Sequence, residues 1–183
     1  IDVRIMGSFY YGTRQLTANK PVNTLDDLKG MKIRVPQSDL YVKMVEAWGA
    51  AATPMNINEL YMALSTGTVD AQENPLTTYE SYKFYEVVKN VILTDHIICP
   101  NMIFINNDVW NAMSEHDQQV VQTAIDNAVK WQDEQIIAAE ETLAEDLKQY
   151  DVVVTTPDET IREATIPYIK PSIEDWDYIQ TLA

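Results

Sequence analysis

Residues 12–37 read GTRQLTANKPVNTLDDLKGMKIRVPQ, and residues 52–75 read ATPMNINELYMALSTGTVDAQENP. Helix start and stop signals alternate with short apolar runs along both segments, at the spacing typical of βαβ units. The pattern predicts helices over residues 24–30, 39–48, 58–66 and 75–88, and strands over residues 32–35, 52–55 and 69–71. We therefore expect an α/β fold in which helices cover a parallel sheet.

Local turn chemistry sets the predicted boundaries of these helices. Thr24 and Asp27 form a sequence that is similar to a capping box, and Gly30 follows as a stop signal. Asn58 is the predicted N-cap of the third helix. Asn74 and Pro75 are the predicted N-cap and first residue of the fourth helix.

Two arginines lie near the predicted carboxyl ends of these strands. The chain has a formal net charge of −15 and four arginines, of which Arg14 and Arg34 lie within the quoted stretch. Arg34 lies at the end of its strand and Asn74 just past the end of another, so both should reach the edge of the sheet where α/β proteins bind ligands. Guanidinium groups bind carboxylates bidentately, which predicts an anion site. The alternative is that both arginines form surface ion pairs with the many acidic residues.

The rest of the chain predicts further alternating elements. Residues 3–11 should form a strand that Gly12 ends, and the helix that begins at Ser114 should continue to Gln149. We expect the acidic face of this helix to be solvated. Further strands are predicted over residues 91–94, 102–105 and 152–154, a short helix over 108–113, and helical pieces interrupted by Pro167 and Pro171 over 160–182.

Composition excludes several classes of function. The 183 residues include 13 basic and 28 acidic residues, a balance that argues against binding of nucleic acid or of an anionic membrane. No apolar run approaches the roughly 20 residues that span a bilayer, so direct membrane insertion is not expected. Cys99 is the single cysteine and the two histidines are far apart, so neither a disulfide within the chain nor a metal site nor a cofactor is predicted.

The order of these motifs resembles one family, the extracytoplasmic solute-binding subunits of TRAP (tripartite ATP-independent periplasmic) transporters, of the DctP and sialic-acid-binding type. The resemblance covers nearly the whole chain. It is carried by Gly12-Thr13-Arg14-Gln15, Ile33-Arg34-Val35-Pro36, Thr53-Pro54-Met55, Glu59-Leu60-Tyr61, Gln72-Glu73-Asn74-Pro75, Phe84-Tyr85-Glu86 and Thr94-Asp95-His96.

The resemblance implies roles for individual residues. Arg34 would form a bidentate salt bridge with a substrate carboxylate, Arg14 would supply a second positive charge, and Asn74 would donate its amide to the same carboxylate. His96 matches a histidine near the family's pocket, although it is also read as a satisfied structural residue. Gln37 and Ile57 occupy positions near the ligand and differ from the sialic-acid and sugar-acid patterns.

The resemblance also implies a periplasmic-binding-protein-like fold of two lobes, with mixed, mostly parallel sheets and a long helix that spans both lobes. Residues 12–99 and 140–183 would form the carboxylate-binding lobe, and residues 1–11 and 100–139 a remnant of the first lobe, with only the C-terminal portion of the fold present. The implied location is periplasmic or extracytoplasmic, although no signal peptide opens the chain. The implied partners are a C4-dicarboxylate, sialic acid or another sugar acid, and the TRAP membrane permease.

Two other functions are compatible with the residues. An enzyme acting on small acids would need a nucleophile or an acid–base pair in the crevice, and neither Cys99 nor Ser38 has a partner at motif spacing. The pair Asp95-His96 is the remaining candidate, and we expect no catalytic residues. A protein-interaction module built on the acidic long helix would bind no small ligand.

Overall fold

The computed structural model describes the backbone of residues 2–174 and the side chains of residues 2–167. Six strands form a single sheet, in the order β3-β2-β4-β1-β5-β6. The strands are β1 (Val3–Ala18), β2 (Lys32–Val35), β3 (Ala51–Pro54), β4 (Ala71–Pro75), β5 (Asn90–Asn106) and β6 (Val153–Thr155). The helices are α1 (Asp39–Ala47), α2 (Ile57–Ser65), α3 (Leu76–Ser81), α4 (Asn107–Ala112), α5 (Glu115–Asp146) and α6 (Thr160–Glu174).

The sheet is mixed and mostly parallel. Strand β2 is parallel to both β3 and β4, and β5 is parallel to β6. Strand β1 is antiparallel to β4 and to β5. The predicted α/β class is confirmed, and the long β1–β5 pair adds the antiparallel component.

Two apolar clusters pack on opposite faces of the sheet. Ile92 belongs to the cluster under α1 and α6, whereas its neighbour Val91 belongs to the cluster under α2, α3 and the end of α5. Successive strand residues point to opposite faces, so the two clusters are separated by the sheet. Both contain fully buried side chains, among them Trp48 in the first and Tyr79 in the second.

Helices α1 and α2 match the predicted helices with small shifts at their ends, but the helix predicted over 75–88 was wrong in its length. It ends at Ser81, and a separate 3₁₀ helix covers Phe84–Glu86 after Lys83, whose φ of +55 breaks the helix. The strand predicted over 69–71 is β4, Ala71–Pro75.

A short 3₁₀ helix at Leu25–Leu28 carries the capping box between Thr24 and Asp27. The N-cap of α2 is Asn56 and not Asn58, because the Asn56 side chain accepts a hydrogen bond from the backbone amide of Asn58. The N-cap of α3 is Pro75, and Asn74 lies within β4.

The strand predicted to end at Gly12 continues to Ala18, so that prediction was wrong. Gly12 lies within β1 with φ +121, next to a register shift between Tyr10 and Gly12 in the pairing with β5. Glycine adopts this conformation without the steric cost that other residues bear, so the strand bends there without ending.

The two strands predicted over 91–94 and 102–105 are one strand, β5. Pro100 has no backbone N–H, and sheets tolerate proline where the ladder is irregular. It pairs with Tyr10 beside the register shift, and the Tyr10 amide donates instead to Asp133 Oδ1 at 2.7 Å.

Helix α5 is nearly as long as predicted, but its acidic face is only partly solvated. Glu140 Oε1 accepts a hydrogen bond from the backbone amide of Thr13 at 2.6 Å, and Glu140 Oε2 accepts one from the Tyr10 hydroxyl. Together with Asp133, it satisfies backbone donors of β1 that the sheet leaves free at the bulge.

Helix α6 runs through Pro167 and Pro171, so the predicted interruption is not observed. Ile161 and Thr165 are buried and hold its first turns against the body of the protein. The end of the predicted helical region, residues 175–182, lies outside the described residues. Within the described helices, none is both long and apolar enough to cross a membrane.

Candidate functional site

Two buried arginines lie on the strands that flank β4. Arg14 lies on β1 and Arg34 on β2, the two neighbours of β4 in the sheet. Their relative exposures are 5% and 4%, respectively. The charge of Arg14 contributes to the lowering of the pKa of Arg34, after the larger effect of burial, so the two guanidinium groups act on each other electrostatically.

Arg14 forms a buried ion pair with Glu73 of β4. Its Nε and Nη2 atoms donate to the two carboxylate oxygens, the second at 2.7 Å, and Nη2 also donates to the Glu73 backbone carbonyl at 2.6 Å. Burial alone would lower the pKa of Arg14, but hydrogen bonding and the charge of Glu73 outweigh burial and raise it. The pair is a bidentate, charge-assisted interaction of the strong kind.

The Glu73 carboxylate has a second partner, His96. Oε2 of Glu73 lies 3.2 Å from Nε2 of His96, and Nδ1 of His96 lies 2.7 Å from the hydroxyl oxygen of Thr94. The His96 ring also lies edge-on to Trp48, at 5.2 Å between ring centroids. Burial alone would raise the pKa of Glu73, but the hydrogen bonds from His96 and Arg14 lower it, so Glu73 is an anion. His96 therefore contacts Glu73, and Glu73 in turn contacts Arg14.

Arg34 uses only part of its guanidinium group within the protein. Its Nε and Nη2 atoms donate to the backbone carbonyl of Met55 at 3.0 and 2.8 Å. Among the described residues, no partner is found for Nη1 of Arg34, and no buried side-chain nitrogen or oxygen is left without a hydrogen bond. Nη1 is therefore reached by solvent, on a side chain that is otherwise enclosed.

A chain of amides connects the site to the interior of the sheet. Asn74 Oδ1 accepts a hydrogen bond from Arg14 Nη2 at 3.1 Å, and Asn74 Nδ2 donates to Gln72 Oε1 at 2.5 Å. Gln72 in turn donates to the Thr17 hydroxyl at 2.6 Å. The Asn74 amide thus has a partner within the protein and lies beside Arg14.

Two predicted site residues do not join this cluster. Gln37 follows β2 and is exposed, and Ile57 begins α2 and packs against the second apolar cluster. Among the described hydrogen bonds, neither residue contacts Arg14 or Arg34.

Three further residues contact Arg14 in the structure, and the sequence prediction gave none of them a role at the site. Glu73 neutralises Arg14, the Tyr41 ring lies under the Arg14 guanidinium with 5.0 Å between the ring centroid and Cζ, and the Cys99 sulfur lies 3.8 Å from Arg14 Nη1. Glu73 stands in the same motif as Asn74, so an acid beside the predicted asparagine was the available signal. Tyr41 and Cys99 carry no comparable signal, because α1 and β5 bring them to Arg14 only in the folded chain.

The sequence and fold of this chain are those of one class of protein, the bacterial extracellular solute-binding proteins. The family model described as "DctP: Bacterial extracellular solute-binding protein, family 7" matches residues 2–178. The chain belongs to this family.

A related protein and two related solved structures support this assignment. The sialic acid-binding periplasmic protein SiaP of Vibrio cholerae is 38% identical over 168 residues, which are 91% of this chain and 52% of that protein. A TRAP periplasmic solute-binding protein of Chromohalobacter salexigens with bound D-glucuronate has a TM-score of 0.88 at 30% identity, covering 99% of this chain and 61% of that one. One of Xanthobacter autotrophicus with bound β-D-galacturonate has a TM-score of 0.86 at 32% identity, covering 92% of this chain and 57% of that one. The chain thus spans about half the length of the curated relatives that it matches.

Proposed function

We propose that the complete protein is the extracytoplasmic solute-binding subunit of a TRAP transporter, which captures a small organic acid and delivers it to the membrane permease. The ligand's carboxylate would bind at Arg34, with Arg14 and Asn74 beside it. A periplasmic location is in keeping with the names of the relatives. The relatives are solute-binding proteins and not enzymes, and we extend this to the present chain.

One observation carries the proposal: Arg34 is 4% exposed, yet its Nη1 atom is reached by solvent and donates to no partner in the described part of the chain. A cation that is removed from water is costly unless it is paired. The Met55 carbonyl is a neutral acceptor and does not balance the charge of Arg34. The nearby acid Glu73 attracts Arg34, but its carboxylate is already hydrogen-bonded to Arg14. The cluster of Arg14, Arg34 and Glu73 therefore retains one positive charge, which an incoming carboxylate would neutralise.

Several relatives bind sugar acids, whereas others hold diglycerolphosphate or orotic acid. Solved structures hold D-glucuronate, β-D-galacturonate and L-galactonate, and the related protein of Vibrio cholerae is named for sialic acid. All four are sugar acids with one carboxylate. We therefore favour a sugar acid over a C4-dicarboxylate for the present protein.

The division into two lobes is part of the same proposal. Residues 12–99 and 140–183 would carry the carboxylate site, and residues 1–11 and 100–139 would belong to the lobe that closes over it. Closure of two lobes around the ligand would exclude water and strengthen the ion pair at Arg34.

The test is a thermal-shift panel on the complete protein with sialic acid, D-glucuronate, β-D-galacturonate, L-galactonate and succinate. A true ligand at about 100 times its dissociation constant should add about 2.7 kcal/mol to the free energy of unfolding. Arg34→Ala should then weaken binding of that acid by about 30-fold to several thousand-fold in calorimetry, because loss of one partner of a buried charged pair costs about 2–5 kcal/mol.

Arg162→Ala is the matched control, since Arg162 is an exposed arginine of α6 whose nearest acidic partner is Glu159 at 3.9 Å. It should leave the affinity unchanged. If none of the five acids shifts the melting temperature, or if Arg34→Ala binds as tightly as Arg162→Ala, the proposal is wrong.

A further inference from the structure

The Arg14 guanidinium contacts hydrogen-bond acceptors of one strand and an aromatic ring of a helix. Glu73 of β4 accepts hydrogen bonds from Nε and Nη2, and Asn74 of β4 accepts one from Nη2. The Cζ atom of Arg14 lies over the Tyr41 ring of α1, 5.0 Å from the ring centroid. Tyr41 is itself partly buried and packs against the apolar cluster under α1.

We propose that Tyr41 is a positioning residue for Arg14, and this inference rests on the proposed role of Arg14 beside the ligand's carboxylate. The hydrogen bonds from Nε and Nη2 to β4 fix one side of the guanidinium group. An aromatic ring beneath the cation limits its remaining movement, and it attracts the cation through its quadrupole. These contacts together determine where the remaining nitrogen, Nη1, points.

The surroundings of Arg14 Nη1 leave this nitrogen able to donate a hydrogen bond to a ligand. Its neighbour is the sulfur of Cys99 at 3.8 Å, on a partly exposed residue of β5. A thiol is a weak hydrogen-bond acceptor, so a carboxylate oxygen would displace it at little cost. Nη1 of Arg14 and Nη1 of Arg34 are thus the two guanidinium nitrogens of the cluster that no oxygen of the described residues occupies.

The Tyr41 ring acts as a neutral aromatic surface. Burial raises the pKa of Tyr41, and the positive charge of Arg14 opposes that effect without cancelling it. The phenol therefore stays protonated at neutral pH, and the contact with Arg14 does not depend on a tyrosinate charge. Phenylalanine should keep this contact, whereas leucine should keep the packing volume and lose the attraction of the ring.

The experiment compares Tyr41→Phe, Tyr41→Leu and Cys99→Ala in the complete protein. Calorimetry with sialic acid, D-glucuronate and β-D-galacturonate measures affinity. Hydrogen exchange at the Nε–H of Arg14, followed by NMR without ligand, measures how firmly the guanidinium is held. We expect Tyr41→Leu to weaken binding and to accelerate exchange, each by about 3- to 10-fold, and Tyr41→Phe and Cys99→Ala to stay within about twofold of the parent.

The outcomes separate this inference from the proposed function. If the parent protein binds none of the five acids of the thermal-shift panel, the proposed function is wrong, and the exchange rates alone decide whether Tyr41 positions Arg14. If Tyr41→Leu matches Tyr41→Phe in both measurements, the ring is packing only and the inference is wrong. If Tyr41→Phe weakens binding and accelerates exchange as much as Tyr41→Leu does, the Tyr41 hydroxyl and not the ring positions Arg14, which also overturns the inference.

Discussion

Arg14 and Glu73 lie 59 residues apart in sequence and on adjacent strands, and they form a bidentate ion pair in which the Glu73 side chain is fully buried. The prediction from sequence placed two free cations at one rim of the sheet. In the folded protein, one of them is neutralised by an acid of the same motif as Asn74. Among the described residues, only Nη1 of each arginine has no oxygen acceptor. Two unpaired guanidinium groups would offer more donors, and the direction of those donors would be less restricted.

The first prediction concerns the stability of this pair. Glu73→Gln should lower the free energy of unfolding by about 3–5 kcal/mol, because it leaves the buried Arg14 charge without a counterion. Urea denaturation of the complete protein measures the change. Glu86→Gln is the matched control, since Glu86 is exposed and its partner is the Tyr61 hydroxyl. It should cost no more than about 0.5 kcal/mol. Equal losses in the two variants would contradict a special role for the buried pair.

The second prediction is the pH dependence that the same pair imposes. Burial alone would raise the pKa of Glu73, but the hydrogen bonds from His96 and Arg14 lower it below the ordinary value of 4.5. At acidic pH the unfolded chain therefore binds more protons than the folded chain, and the free energy of unfolding decreases as the pH falls. From about pH 5 to about pH 3, the parent should lose more stability than Glu73→Gln, which has no carboxylate to protonate at this position.

Urea denaturation at a series of pH values measures how the free energy of unfolding of each protein depends on pH. The other acidic residues are the same in the two proteins, so the difference reports on Glu73. Parallel curves for the parent and Glu73→Gln would show that Glu73 does not carry this share of the acid sensitivity.

The third prediction concerns the bend of β1. A Cβ atom at Gly12 would lie 2.9 Å from Cβ of Pro75 and 3.0 Å from Oε1 of Glu140, at φ +121. Gly12→Ala should therefore destabilise the protein by about 3–5 kcal/mol through backbone strain and overpacking. Thermal or urea denaturation measures this loss.

Gly67→Ala separates the two causes. Gly67 also has a positive φ, +71, but a Cβ there would meet nothing within 4 Å. This variant should lose about 1–2 kcal/mol from the left-handed conformation alone. If Gly12→Ala is no worse than Gly67→Ala, the crowding against Pro75 and Glu140 is unimportant.

The sequence could predict much of the fold, because many of its signals are local. The capping box at Thr24, the strand Lys32–Val35 and helices α1 and α2 depend on residues a few positions apart, and they are observed with small shifts. The family motifs likewise placed Arg14, Arg34 and Asn74 in one region, and the observed pairing of β2 and β4 keeps that arrangement. The role of these residues in binding an acid stays a prediction.

The errors in the prediction arose where distant residues decide the outcome. A strand that passes through Gly12 needs hydrogen-bond acceptors for its irregular backbone, and they come from Asp133 and Glu140, more than a hundred residues away. The continuity of β5 past Pro100 depends on the same irregularity in its partner strand. No window of the sequence contains both partners of such a contact.

The sequence by itself therefore determined the class of fold and the family, and it pointed to the arginines of the candidate site, because propensity, capping and motif order are properties of neighbouring residues. Only the tertiary structure decided that Glu73 holds one guanidinium, that this guanidinium lies over the Tyr41 ring and that one Arg34 nitrogen has no partner among the described residues. These contacts depend on which strands adjoin and on how deeply each charge is buried. Both are consequences of packing the whole chain around one sheet.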